Sequence, residues 1–493
     1  MIAPRGAAAI RTAVGLVGAA GILAGAAALP DLDVRPVAGP SRASSTPVTD
    51  AEFLCPGTEL TGIDDVPDVS TSVRVVAGTA PAAVLGVDPP ASTGAVTLAV
   101  ASGPTVPDAA GGERTTQRGA VVTTTASEDG VVRAAGSGGL APALLAAQES
   151  DPREDQVAGL ASTACPAPAA ESWLTGGSAE PGRQERLLLL NPGANPVTVD
   201  IAVAGRRGPI VTGAATGVVV PARSRHSVLL DALAPDEAAP FFHVTTRGGF
   251  VGAVLADHWL DGVTPRGFAD VPGLAAPATE QVIPAVTGPG SVRLHAPGEQ
   301  DAVVEVRLLT PDGPRALPDR AGVLRVPAGT TAEVPLTKLP SGVSALQIRS
   351  DEPVVAAAQL TPVKARDFAW APASALIRGL AGAVYPALDS AADRTRTLAL
   401  ASTGGRARVG VTTVADGRAQ TRELSIADDA TLTLDLSLSD AVWVRRVAGN
   451  GDVRAALLTT GGSGAKAVID ARPLTAARIS VTTEPVEPVG PLG

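Results

Sequence analysis

The densest grouping of residues able to do chemistry is Asp257-His258-Trp259-Leu260-Asp261, with Asp270 further on. An imidazole flanked by carboxylates can act as a general base. The preferred reading is plainer: a surface turn leaving a strand, where Asp favours the bend and Trp caps a core. Four tryptophans, Trp173, Trp259, Trp370 and Trp443, are the other candidates, because a flat ring stacks on a sugar or anchors a partner. Aromatics make up only 2% of the chain, too few for a stacking platform. Trp259 and Trp370 each fall just after the last strand of a repeat, which favours packing between repeats. The candidate interaction residues are thus Trp173, Trp259, Trp370, Asp257 and His258.

Other chemistry finds little support. Gly461-Gly462-Ser463-Gly464-Ala465 and Ala135-Gly136-Ser137-Gly138-Gly139 each lack one glycine of a nucleophile elbow and read as turns. There is no phosphate loop or dinucleotide fingerprint, and His226, His243, His258 and His295 lack metal-ligand spacing. No catalytic residue, cofactor or metal is expected. The acidic groups Asp64, Asp65, Asp68 and Glu149, Asp151, Glu154, Asp155 lack the alternation of a calcium loop and read as solvated loops. Cys55 and Cys165, the two cysteines, are expected to form one disulfide that staples the N-terminal region to the first full repeat. It would close a loop with a chain-entropy ceiling of about 4.7 kcal/mol.

The elements that must position these residues repeat. Asn191-Pro192-Gly193, Ala296-Pro297-Gly298 and Ser402-Thr403-Gly404 each close an apolar run, at steps of 105 (191 to 296) and 106 (296 to 402) residues. An alternating segment follows each turn, and an Ala-rich strand (252–256, 355–359, 454–458) ends each unit. In residues 431–438 every second residue is Leu, the pattern of a strand buried on one face. Strands of this kind separated by turn signals predict an all-β chain of tandem immunoglobulin-like β-sandwich repeats. Residues 50–162 echo the repeats and read as a degenerate β domain. Residues 140–148 read as a short helix or a last strand. The repeats are placed at 163–278, 279–380 and 381–485, before a tail at 486–493.

Arg5 and Arg11 precede an uncharged stretch at 12–29, so residues 1–30 read as a signal peptide or a membrane anchor helix, and 31–49 as a flexible tether. This places the bulk of the chain outside the cytoplasm, secreted or anchored, with the membrane met only through that segment. The net charge of −10, with both signs scattered, argues against nucleic acid.

The order Cys55-Pro56-Gly57, Cys165-Pro166, Trp173-Leu174-Thr175-Gly176-Gly177, Leu188-Leu189-Leu190-Asn191-Pro192-Gly193 and residues 217–221 resembles a family of exported actinobacterial proteins catalogued only as a domain of unknown function. The resemblance implies an envelope location and supplies no activity. The expected function is a non-catalytic structural or protein-interaction module of the cell envelope, with an envelope protein as partner. The alternative is a glycan-binding accessory protein for envelope polysaccharide, and the third is a hydrolase with a site assembled between repeats.

Overall fold

The computed structural model describes residues 44–483 except 62–67, 70, 102–111, 128–129, 155, 178–180, 318–321, 363 and 389–392. The proposed N-terminal apolar helix, the tether to residue 43, the tail at 486–493, and Asp64, Asp65 and Asp155 lie outside the described residues. Among the described residues no helix is long and apolar enough to cross a membrane. The chain forms two units. The smaller comprises residues 1–46 and 482–493, of which 44–46 and 482–483 are described, both in strand conformation.

The larger unit, Pro47–Val481, is all-β and carries one eight-strand plan four times. The third repeat shows it most simply. Its first, sixth, third and fourth strands (Leu380–Val384, Ala441–Gly449, Ala407–Ala415, Arg418–Ile426) pair in that order in one antiparallel sheet. Its fifth, second, seventh and eighth (Ala430–Asp435, Arg394–Thr403, Asp452–Gly461, Val468–Pro473) form the other. The same order recurs from Asp50–Cys55 to Ala161–Ala164, and from Glu171–Thr175 to Thr264–Pro272. In the second repeat, between Ala278–Val286 and Ala369–Pro372, the sixth and seventh strands are one continuous strand, Ser344–Leu360, which serves both sheets. Residues 140–148 lie mostly in a strand, Leu144–Ser150, entered by one turn of 3-10 helix at Gly138–Leu140.

The two sheets of each sandwich differ in pattern because they meet different surroundings. The first sheet faces solvent on its outside and alternates: Val197, Val199, Ile201 and Val203 are buried, while Ala202 between them is exposed. The second sheet is covered on both faces, so its central strands are continuously apolar. Leu187 and Leu189 enter their own core, while Leu188 packs with Leu60, Val157 and Ala161, and Leu190 with Leu54, Ala101 and Val131 of the N-terminal sandwich. Val354, Ala356 and Ala358 fill the second repeat, while Val355 and Ala357 enter the core of the first. Leu398 and Leu400 belong to the third repeat, while Ala399 enters the core of the second. Val75 and Ala77 belong to the N-terminal sandwich, while Val76 packs on Leu380, Val384 and Trp443 of the third repeat. Each second sheet therefore covers the preceding sandwich, and the last sandwich is covered by the first. The four sandwiches close into a ring.

The eighth strands meet at the centre of this ring, each contacting the next in cyclic order and the last contacting the first. Asp367, entering the second repeat's eighth strand, accepts hydrogen bonds at Oδ2 from Leu160 N (3.2 Å) in the N-terminal sandwich and Ile469 N (3.0 Å) in the third repeat. Gly159 lies against it with φ 152°, and a Cβ there would fall 2.6 Å from both Asp367 Oδ1 and Phe268 N of the first repeat. All four sandwiches thus meet at one carboxyl group.

Two sequence readings need adjustment. The Leu alternation is a strand only to Asp435; Leu438 is 91% exposed because the chain turns where Leu436 N bonds Arg396 O and Ser439 N bonds Leu436 O. The Cys55–Cys165 disulfide is formed, with Cα atoms 4.5 Å apart, but both residues lie in the core of the N-terminal sandwich. Cys165 N bonds Ala146 O, so the bridge closes that sandwich on itself instead of stapling it to the next.

Trp443 lies in the seam between the last and first sandwiches and is 1% exposed. Trp443→Ala should cost about 3–5 kcal/mol in denaturant unfolding. A loss below about 1 kcal/mol would mean that this seam is open.

Candidate functional site

The polar residues that stand out in the sequence converge on the seams. Asp257 and His258 are neighbours on one strand, so their side chains point to opposite faces and cannot form an acid–base pair. Asp257 is fully buried and receives Arg183 through both oxygens, Nε to Oδ1 at 2.8 Å and Nη2 to Oδ2 at 2.6 Å. Trp370 of the second repeat, 1% exposed, donates Nε1–H to Asp257 Oδ2 at 2.8 Å. His258 donates Nε2–H to Gln156 O (2.8 Å) of the N-terminal sandwich, and its ring meets Phe268 edge-on. Burial pulls its pKa down, holding the imidazole neutral.

The expectation that this cluster is a surface turn fails for these two residues, since the strand continues to Asp261 before turning. Trp259 and Trp370 are also not equivalent. Trp259 is in a seventh strand and half-buried, with Nε1–H donated to Pro181 O, whereas Trp370 is in an eighth strand. Trp173 is buried and stacks on His243, ring centroids 3.9 Å apart. With Trp370 sealed in a seam, no pair of exposed tryptophans is offered to a sugar.

What the sequence search missed is a set of arginines planted in apolar strands. Arg225 spans from the first repeat to Pro56 O (2.7 Å), Thr58 O (2.8 Å) and Thr61 Oγ1 (2.9 Å). Arg293 of the second repeat reaches Gly176 O (2.8 Å), Gly177 O (3.0 Å) and Ala238 O (3.1 Å) of the first, with its guanidinium 4.9 Å from the Trp370 ring centroid. Arg454 of the third repeat meets Glu280 of the second at 3.4 Å. Arg396 meets Glu149 of the N-terminal sandwich at 2.8 Å, each side chain 1% exposed. Glu149 is therefore a buried ion-pair partner and not part of a solvated loop. Each seam carries at least one such arginine, the last also carrying Arg394 on Asp151, and carbonyl or carboxylate partners offset the heavy cost of burying its charge. The available signal was a charged residue inside an apolar run, as in Ser291-Val292-Arg293-Leu294.

Buried carboxyl groups complete the seams. Burial pushes Asp367 well above the usual range, against the pull of backbone N–H groups of Ile469, Leu160, Phe368 and Phe268. Burial likewise raises Asp470 to about 8. Glu59 and Asp270 interact across the seam between the N-terminal sandwich and the first repeat, and desolvation raises both. Chemically, this arrangement binds sandwich to sandwich. Among the described residues no group of three or more His, Cys, Asp or Glu is placed to hold a metal ion.

The family of unknown function DUF5719 matches residues 120–437, from the fifth strand of the N-terminal sandwich to just past the fifth of the third repeat. The chain belongs to that family. Its matched span contains Asp257, Asp367 and three of the four seam arginines, Arg225, Arg293 and Arg396, with Arg454 beyond its end. No curated protein matches the chain.

Asp257→Ala should destabilise the protein by about 3–5 kcal/mol, because Arg183 is left buried without its carboxylate; a change under about 1 kcal/mol in chemical denaturation would contradict the pairing. The raised carboxyls set a pH dependence. A carboxyl whose folded pKa lies above its unfolded value gives stability that is complete below about pH 4 and lost as pH rises toward the folded value, about 8 for Asp470. Buried His258 and His295, shifted down by burial, oppose this only below about pH 6.5. The urea midpoint should therefore fall between pH 6.5 and 8, and Asp470→Asn should flatten that slope; a midpoint that rises over this window would refute the assignment.

Proposed function

We propose that the chain is a non-catalytic extracytoplasmic module of the bacterial cell envelope, structural or protein-interacting, built from four tandem immunoglobulin-like sandwiches. The observation that carries this reading is the use of its conspicuous polar residues as internal fastenings. Asp257, His258, Trp370 and the seam arginines hold sandwiches together, which is the chemistry of a rigid platform. A disulfide inside the first sandwich suits an oxidising compartment, and Arg5 and Arg11 before an apolar stretch suit export. On this reading the membrane is met only through the N-terminal segment.

Glycan binding remains a second reading, and one observation favours it. Phe250, 60% exposed, borders a groove of about 590 Å³ together with Glu52, Pro168, Asn195 and Arg478. A ring beside amide and charged groups is the usual make-up of a sugar subsite, and the volume suits a small-molecule cleft. The immobilised chain and its Phe250→Ala variant should be exposed in parallel to solubilised envelope proteins and to fractionated wall polysaccharide. The platform reading expects one discrete envelope protein to be retained by both forms. Polysaccharide retained by the parent and lost from the folded variant would replace it with the glycan reading, and no retention of either would count against both.

A further inference from the structure

One buried carboxyl is not spent on a seam. Glu185 lies on the second strand of the first repeat, Arg183–Asn191, and is 5% exposed, yet its Oε1 has no hydrogen-bond partner. Its carboxyl packs against the Gly176-Gly177 backbone. Gly177 has φ 49°, and a Cβ there would overlap the Glu185 carboxyl group, so only glycine lets the segment pass this close to it. Glu185 lines a pocket of about 330 Å³ together with Gly182 and Arg183 of its own strand region and the segment that follows the fifth strand, with Asp231, Asp236 and Glu237.

The charge of this pocket is one-sided. Burial, with neighbouring Asp257, pushes the Glu185 carboxyl well above the usual range, so its ionised form awaits a cation; around it Asp231, Asp236, Glu237 and Asp257 outnumber the two guanidinium groups nearby, Arg183 and Arg293. Both guanidiniums already have partners, Arg183 on Asp257 and Arg293 on the carbonyls of Gly176, Gly177 and Ala238. A dedicated metal centre does not fit, because the carboxylates do not converge as a ligand set. A single organic cation does: it needs one desolvated carboxylate for a charge-assisted hydrogen bond and a rim of like sign to attract it. The volume sits at the low end for ligand clefts, suited to one small head group.

We propose that this pocket binds a compact organic cation, an alkylammonium or guanidinium group, with Glu185 as the buried acceptor and Asp231, Asp236 and Glu237 as the attracting rim. Such a head group can be a basic side chain or the amine of an amino sugar. The two sources share the same contact with Glu185 and differ in the body behind it. The proposal is independent of whether the ring is a platform or a glycan reader.

Isothermal titration of the full chain at fixed ionic strength tests it, with n-butylammonium, methylguanidinium and glucosamine as probes and N-acetylglucosamine and calcium chloride as controls. Saturable binding of at least one cationic probe is expected, weakened at least tenfold in Glu185→Gln and several-fold in Asp231→Asn. Asp231 is exposed, so its variant keeps the test informative should Glu185→Gln fail to fold. Selectivity for glucosamine over the two alkyl probes would assign the amino-sugar source, and the reverse a basic side chain. No saturable binding to folded protein, unchanged affinity in a folded Glu185→Gln variant, undiminished affinity in Asp231→Asn, or tighter binding of calcium than of every organic probe would overturn the proposal.

Discussion

Each second sheet in this molecule is apolar on both faces, and a two-faced apolar sheet must be covered twice. Its own sandwich covers one face. The other requires a neighbour, and in a linear array one such sheet at the end would remain bare, a large exposed patch of the sort that soluble proteins avoid. Closing the array removes the problem: Val76, Leu145 and Ala147 of the first sandwich are buried by Leu380, Val384 and Trp443 of the last. Where many repeat proteins cap their arrays with polar units, here the N-terminal sandwich covers the third repeat.

Closure explains features that otherwise look unfavourable. A ring with a centre brings four chain segments together without room for side chains, hence Gly159 there and the backbone N–H groups aimed inward. Those N–H groups need an acceptor, and Asp367 provides it at the expense of burying a carboxyl group. The seam arginines have a related logic. Apolar sheets slide on one another easily, whereas a guanidinium bonded to two or three carbonyls at fixed positions sets the register, as Arg225 does toward Pro56 and Thr58 and Arg293 toward Gly176 and Gly177. A buried charge is a poor source of stability but can specify one arrangement among several, and we take that as the role of these residues.

How much of this was legible depended on whether the signal was local. Alternation in 197–203 and the periodic turns marked an all-β repeat chain, and two cysteines were enough to expect the bridge. The run Leu187-Leu188-Leu189-Leu190 marked burial, but nothing in it says that odd and even positions face different sandwiches. Asp257 and His258 looked like a catalytic grouping or a turn because adjacency in sequence hides that a strand separates their side chains. Asp367 was invisible, since its significance lies in amides around residues 160 and 469, and Glu149 looked like one acid among several until Arg396 arrived from nearly 250 positions away.

The central claim is that the first and last sandwiches touch, and it is tested most directly by placing spin labels at Gln117→Cys and Arg418→Cys in one chain. Gln117 and Arg418 are exposed, Gln117 lies beside Gly417, and the native cysteines are paired, so no other thiol competes. A closed ring predicts strong dipolar broadening of the spectrum in the doubly labelled monomer, absent from either single label. A spectrum equal to the sum of the single-label spectra would show that the ends are apart, and the ring with its central carboxyl would have to be abandoned.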